Sequence, residues 1–531
     1  MKRLVLGAAA LILASGSALA QASPPIELAV SANNDRPVVA APAPPVSFVT
    51  KHRTTIRGRK IDYTTTAGET YLTTLSGEPT GSIFSFAYVK DGPRDPNRPV
   101  MFVFNGGPGS ASLWLHMGVV GPRRVVLDRE VNPSNVPPFG VADNPDSLLD
   151  VADLVFIDPV GTGFSRAVGS GKAEDFWGVD QDADSVAQFI ELWLSANGRW
   201  TSPKFLMGES YGSVRAALLP RALMGGPTYL GVMRGITVNG IILLGTTLDS
   251  RDGPPKPDAA IASAANDLTA QAAVAWAHGR TKHQDKSLPV FQAEVDRFAA
   301  AQFEDALRRN GAGTLGSAER QAIVERISGY TGLPTEAYDR DLKLATGQFA
   351  RQLLADQGLS VGLYDGRYTL PTAGSGNEPV ADDPAMGRYV PGFVAAFHQM
   401  LRDDLKVSMS RPYGAIVWRD LLSKWKWSRA QVPVGQSFAV DLATAMRRNQ
   451  HLQVLVASGN YDLVTTPAAA RRSLAAANLP ADRVTFRDYP SGHMLYLGDT
   501  AAAFSDDVRA LVRRSVVGEG HGSSPGGSRE K

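Results

Sequence analysis

Short, unbroken apolar runs recur along the first half of the chain, each followed by Gly, Asp or Asn within a residue or two. They are Val100–Phe104, Leu154–Ile157, Phe205–Met207 and Ile241–Leu244, and a fifth, Leu452–Ala457, broken only by Gln453, stands near the end. Runs of this length without alternation predict strands covered on both faces, as in the mostly parallel sheet of an α/β protein. The stretches Thr54–Thr65 and Ser82–Val89 alternate instead, and predict antiparallel strands at the sheet edge. Over Asp182–Asn197, the residues Val186, Phe189, Ile190, Trp193 and Leu194 share one stripe, which predicts an amphipathic helix.

From about 251 to 430 the apolar runs vanish and helical spacing takes over. Phe291, Val295 and Phe298 recur at that spacing, as do Ile323, Ile327 and Tyr330, then Phe349, Leu353 and Leu354. A sheet begun before 250 and finished after 450 predicts one α/β core, 48–250 and 431–517, interrupted by a helical insertion or cap at 251–430. A separate helical domain is the alternative.

The ends read differently. Lys2 and Arg3, the apolar run Leu4–Ala14 and the small residues Ala18-Leu19-Ala20 predict a cleavable signal peptide over 1–20, and hence an exported protein, periplasmic or secreted. Residues 21–47 predict a flexible lead-in and 518–531 a disordered tail. The formal net charge of the 531 residues is +2, and loss of Lys2 and Arg3 brings it near zero. That gives no electrostatic reason to expect nucleic acid or an anionic membrane as partner. The chain has no cysteine, which excludes disulfides, a thiol nucleophile and cysteine metal sites.

Candidate chemistry starts at Gly208-Glu-Ser210-Tyr-Gly212, which follows the predicted strand Lys204–Met207 and precedes a helix-compatible run. A serine on a sharp strand-to-helix turn, with glycine two residues to either side, is the context of a nucleophile elbow. Its hydroxyl needs a base and the base an orienting acid, in the chain order Ser, Asp or Glu, His. Beyond the strand Leu452–Ala457 lie only two histidines, and His521 falls in the predicted tail. His493, in a Gly-preceded turn, is therefore the candidate base, and Asp462, directly after that strand, the candidate acid. An oxyanion hole needs the amide of Tyr211 and a second one from an earlier glycine-rich loop. Asn105-Gly-Gly-Pro-Gly-Ser110, leaving the strand Val100–Phe104, supplies that loop.

Five motifs in order resemble those of the serine carboxypeptidase family (peptidase family S10), in its bacterial branch. They are Asn105-Gly-Gly-Pro-Gly-Ser-Ala-Ser112, Ile157-Asp-Pro-Val-Gly-Thr-Gly-Phe-Ser165, Gly208-Glu-Ser-Tyr211, Gly459-Asn-Tyr-Asp462 and Gly492-His-Met494. The resemblance implies an α/β-hydrolase fold with a mostly parallel central sheet and a helical insertion. It implies that Ser210 is acylated, His493 acts as base then acid, and Asp462 orients it. Gly107 and Tyr211 would supply the oxyanion amides, and Asn105 and Glu209 would contact the C-terminal carboxylate of a peptide. The implied partner is a peptide or small acyl substrate, with no metal and no cofactor.

Three departures stand out. Ser110 replaces the family's usual cysteine, and Gly212-Ser213 replaces Ala-Gly. Many members also place a second glutamate fourteen residues after the loop asparagine, where this chain has Val119. A valine neither accepts nor donates a hydrogen bond, so selectivity for a free carboxylate and dependence on acidic pH are both expected to weaken. His116, three residues earlier, is an alternative partner for the carboxylate if Leu113–Val119 is helical. An esterase, acyltransferase or other peptidase on the same scaffold is the second reading, and a non-catalytic binding protein the third.

Overall fold

The computed structural model describes residues 42–516, apart from 128–130, 227–229, 255–256, 339–340, 375 and 377. The predicted signal peptide, most of the lead-in and the tail lie outside the described residues. Nine strands make the main path of the central sheet: β1 (Ser47–Ile56), β2 (Arg59–Thr73), β3 (Pro79–Lys90), β4 (Val100–Phe104), β5 (Asp153–Asp158), β6 (Lys204–Glu209), β7 (Gly240–Leu244), β8 (Gln453–Gly459) and β9 (Val484–Tyr489). Their order is β1-β2-β3-β5-β4-β6-β7-β8-β9, and the short strand Arg166–Ala167 pairs beside β3. Pairing is antiparallel from β1 to β5 and parallel from β5 to β9. This crossed order, with a strand-to-helix elbow after β6, is an α/β-hydrolase fold.

The apolar runs become β4 to β8, and the fully buried pattern of β4, β5, β6 and β7 matches their lack of alternation. Thr54–Thr65, read as one alternating strand, is a hairpin. Arg57 and Gly58 both take positive φ, 48° and 77°, the backbone of a tight turn that keeps the alternation running from β1 into β2. Helices cover both faces. They include α1 (Val179–Ala196), whose buried stripe contains Val186, Phe189, Ile190, Trp193 and Leu194, and α2 (Tyr211–Met224), which leaves the elbow.

Between β7 and β8 the chain runs through helices that include α3 (Pro257–Ala277), α4 (Leu288–Phe298), α5 (Ser317–Thr331) and α6 (Pro384–Asp403). The segment from α3 to Leu354 buries Phe291, Val295, Phe298, Ile323, Ile327, Tyr330 and Phe349 in a core of its own, joined by Tyr461 and Leu463 from the loop after β8. α6 behaves otherwise, since Phe393 and Phe397 share the main core with Phe86 and Trp114. A short hairpin, Leu359–Val361 with Thr369–Pro371, also interrupts the helical run. Among the described residues, no helix is long and apolar enough to cross a membrane.

Candidate active site

Ser210 sits where β6 turns into α2, with φ 60° and ψ −128°. A non-glycine residue in this region is strained, and it persists only where the surroundings impose it. Here they do: the Ser210 amide donates to the Leu244 carbonyl at 2.9 Å, and the Ser213 hydroxyl donates to the Ser210 carbonyl at 2.6 Å. The turn is so tight that a Cβ on Gly208 would overlap the Gly212 carbonyl, and one on Gly212 would come 2.8 Å from the Phe104 carbonyl oxygen.

The loop after β4 packs against the same turn. A Cβ on Gly106 would collide with the Tyr211 amide nitrogen, so only glycine lets the two backbones approach. Among the described residues, neither the Gly107 nor the Tyr211 amide has a hydrogen-bond acceptor. Two unengaged amides from adjoining loops, one of them at a helix N-terminus, suit an incoming oxyanion. Arg215 ties the loops together. Its buried guanidinium pairs with Asp182 at 2.7 Å and donates to the Asn105 carbonyl at 2.7 Å.

Asp462 and His493 come together, and the His493 Nδ1 donates to Asp462 Oδ2 at 2.7 Å. The other carboxylate oxygen accepts the Val464 and Thr465 amides at 2.7 and 2.9 Å. Thr465 Oγ1 donates to Asp462 Oδ2 at 2.5 Å and lies 3.0 Å from His493 Nδ1. With Nδ1 so engaged, Nε2 is the free nitrogen that a base needs. Burial pushes the imidazole pKa down, but the Asp462 carboxylate, with Glu209 and Asp383 beyond it, outweighs burial and leaves it raised. The ring lies over Gly245, whose missing Cβ would stand 3.1 Å from it, one residue past the Leu244 that anchors Ser210. Ser210 Oγ itself makes no hydrogen bond to His493 within 3.5 Å; such contacts commonly tighten only when substrate is bound.

Glu209, the last residue of β6, is buried, and its carboxyl pKa is pushed up to about 7. Burial is the main cause, and His493 and Tyr496 oppose it. Asn105 is buried beside it, with Oδ1 accepting the Leu115 amide at 3.1 Å. Val119 is buried in the π-helical turn His116–Val120. The alternative partner fails: the His116 ring is hydrogen-bonded to the Tyr88 hydroxyl at 2.6 Å and stacks on Phe156 at 4.0 Å. Burial pushes its pKa down to about 3, so it is a neutral core residue. Sequence reasoning missed Thr465, Arg215 and Tyr496. The first two are ordinary polar residues in sequence, and only the fold brings them to the site. No group of three or more His, Asp or Glu among the described residues is placed to hold a metal ion.

Comparison with known proteins bears on the region that carries the nucleophile. Residues 65–227 match the model of the family described as serine carboxypeptidase. Pheromone-processing carboxypeptidase KEX1 of Blastomyces gilchristii is 26% identical over 28% of this chain and 22% of its own length. Serine carboxypeptidase-like 8 of Arabidopsis thaliana is 29% identical over 28% of this chain and 34% of its own. The chain thus matches about a quarter to a third of the length of these relatives. Among solved structures, proline iminopeptidase of Mycobacterium smegmatis is 14% identical, covering 83% of this chain and 98% of its own, with a TM-score of 0.34. That likeness is too loose to bear on function.

Proposed function

We propose, from the match of residues 65–227 to the serine carboxypeptidase family, that the chain is an exported serine carboxypeptidase acting through an acyl-enzyme on Ser210. The observation that supports this most is the Asp462–His493 pair lying over Gly245, next to a strained elbow serine and two unengaged amides. In the proposed reaction Ser210 Oγ attacks the scissile carbonyl carbon while His493 Nε2 takes its proton. The carbonyl oxygen gains negative charge and is met by the Gly107 and Tyr211 amides. Collapse breaks the C–N bond, His493 returns the proton to the leaving amine, and the acyl group stays on Ser210. Water, deprotonated by His493, then hydrolyses that ester and restores the serine.

By the family resemblance, Glu209 and Asn105 would meet the C-terminal carboxylate of the leaving residue. A carboxyl titrating at about 7 is neutral in mildly acidic solution and donates a hydrogen bond to a substrate carboxylate. Export rests on the basic start, apolar run and small-residue site of residues 1–20. Val119 favours a second reading, an esterase or acyltransferase, because no carboxyl stands there to meet a C-terminal acid. A fluorophosphonate tests the serine hydrolase directly. Labelling of wild type at Ser210, absent from Ser210→Ala, is the expected result, and labelling that survives the substitution would overturn it.

A further inference from the structure

We propose that Arg251, stacked on Trp427, heads the subsite for the acyl-side residue and makes the protein favour substrates with an acidic side chain there. The inference deepens the carboxypeptidase reading and rests on it.

The fold brings Arg251 to the nucleophile. β7 ends at Leu244, whose carbonyl holds the Ser210 amide, and Gly245 lies against the His493 ring. The same loop continues to Arg251, whose guanidinium carbon stands 5.1 Å from the centre of the Trp427 ring. Trp427 packs edge-on to Tyr211, the neighbour of Ser210, at 5.8 Å, and Trp425 does so at 5.3 Å. Burial raises the Tyr211 hydroxyl pKa, and Arg251 is close enough to act against it.

Arg251 has no counter-charge. Among the described residues it makes no ion pair and donates no hydrogen bond, and it is exposed, so a ligand can reach it. The contrast with its surroundings is plain. Arg215, over the Tyr211 ring at 5.4 Å, is paired with Asp182 at 2.7 Å, and Arg429 is paired with Asp441 at 2.7 Å. The carboxylates beside Arg251 in sequence are turned elsewhere, Asp252 to the Gly435 amide at 3.0 Å and Asp249 to the Thr247 hydroxyl at 3.4 Å. The Tyr211 hydroxyl and the Trp425 indole nitrogen are buried without partners, and both donate. The subsite thus holds a positive charge and donors but no carboxylate of its own. A guanidinium lying on an indole is held by the ring while its edge donors stay free, and that edge fits a carboxylate through two parallel hydrogen bonds.

The two faces of the sheet decide which substrate residue is read. Along β4, Met101 and Val103 enter one core and Phe102 and Phe104 the other. Tyr211, Trp425 and Trp427 lie with Phe102, whereas Tyr496, the neighbour of Glu209, lies with Met101. Glu209 and Asn105 belong to the leaving residue on the carboxypeptidase reading. The Tyr211 face is then left for the residue whose carbonyl is attacked.

The test compares kcat/KM for benzyloxycarbonyl-Glu-Phe and benzyloxycarbonyl-Gln-Phe, in wild type, Arg251→Gln and Arg251→Glu, at about pH 6, where the glutamate side chain is ionised. Glutamine keeps the shape of glutamate without its charge. Wild type should favour the Glu peptide about fivefold, the upper end for an ion pair open to water. The ratio should fall to about one in Arg251→Gln and invert in Arg251→Glu, and in wild type it should shrink as salt rises from about 0.05 to 0.5 M. With the change moved to the leaving residue, in benzyloxycarbonyl-Phe-Glu and benzyloxycarbonyl-Phe-Gln, the ratio should not depend on Arg251. A wild type indifferent to the charge, a Glu preference that survives Arg251→Gln, or an Arg251 dependence found at the leaving residue instead would overturn the inference and leave the carboxypeptidase reading standing. Cleavage of none of the four peptides by a protein whose Ser210 takes a fluorophosphonate would sink that reading, and the inference with it.

Discussion

The Tyr364 carbonyl accepts the His493 amide at 2.6 Å, so a residue from between the two halves of the sheet holds the backbone of the proposed general base. Its neighbours extend the hold. The Gly366 amide donates to the Tyr461 carbonyl and the Leu463 amide to the Leu363 carbonyl, both at 2.9 Å, on either side of Asp462. Arg367, paired with Asp365 at 2.6 Å, donates to the Pro490 carbonyl at 2.9 Å and lies over the Tyr461 ring.

Removing Arg367 should therefore loosen the acid and histidine loops together without touching substrate. We expect Arg367→Ala to lower kcat about tenfold, with KM changed far less, because misplacement of a catalytic group weakens the transition state more than the ground state. Steady-state kinetics check the split. Faster amide exchange in the His493 loop should accompany it.

Glu209 sets the alkaline limit for acid substrates. Its carboxyl, ordinarily near 4.5, titrates at about 7 because it is buried. Above that value it is ionised and repels a substrate carboxylate, so kcat/KM for a peptide acid should fall as pH rises through about 7. A C-terminal amide should be affected less. Val119 is expected to weaken the dependence on acidic pH, and burial of Glu209, which raises its pKa, acts in the opposite direction. The same shift acts on stability. The unfolded state releases this proton near pH 4.5 while the native state keeps it to about 7, so stability falls across that window. Glu209→Gln should gain about 3 kcal/mol relative to wild type at pH 8, measured by urea unfolding, and should lose the alkaline fall in kcat/KM.

Trp418 should govern preference on the acyl side. Its indole nitrogen stands 3.2 Å from the position of a Cβ on Gly107, and Trp425 and Trp427 pack edge-on to Tyr211 at 5.3 and 5.8 Å. These rings come from the segment between β7 and β8 and meet both proposed oxyanion residues. Trp418→Ala should lower kcat/KM for bulky aromatic acyl groups about tenfold relative to small ones, the scale of a lost apolar contact in a pocket. A panel of substrates varied at that residue reads the ratio.

The triad should behave as one unit. Ser210→Ala and His493→Ala should each reduce turnover by roughly 10⁴ or more, and the double variant no further, since neither residue works without the other. Far-UV circular dichroism should remain that of wild type.

What the sequence carried was chiefly local. Val100–Phe104 and Ile241–Leu244 were legible as buried strands because every residue in them is apolar. Ser210 was legible because its glycines stand at fixed spacing, which the overlap of Gly208 with Gly212 explains. The hairpin within Thr54–Thr65 escaped notice because a two-residue turn leaves the alternation in phase, although Gly58 was its one signal. Placing all of 251–430 in one cap missed that α6 belongs to the main core, since an apolar stripe does not say which surface it meets. Tyr496 and Arg367 stayed hidden for a similar reason. Their partners lie 287 residues away at Glu209 and 123 at Pro490, and no periodicity records such meetings.

The most direct test of the carboxypeptidase claim is digestion of a mixed peptide library at pH 5 to 6, with mass spectrometry reading which end shortens. Wild type should produce ladders that lose residues one at a time from the C-terminus, and Ser210→Ala should leave the library intact. Shortening from the N-terminus, internal cleavage, or the same ladders from Ser210→Ala would contradict the account.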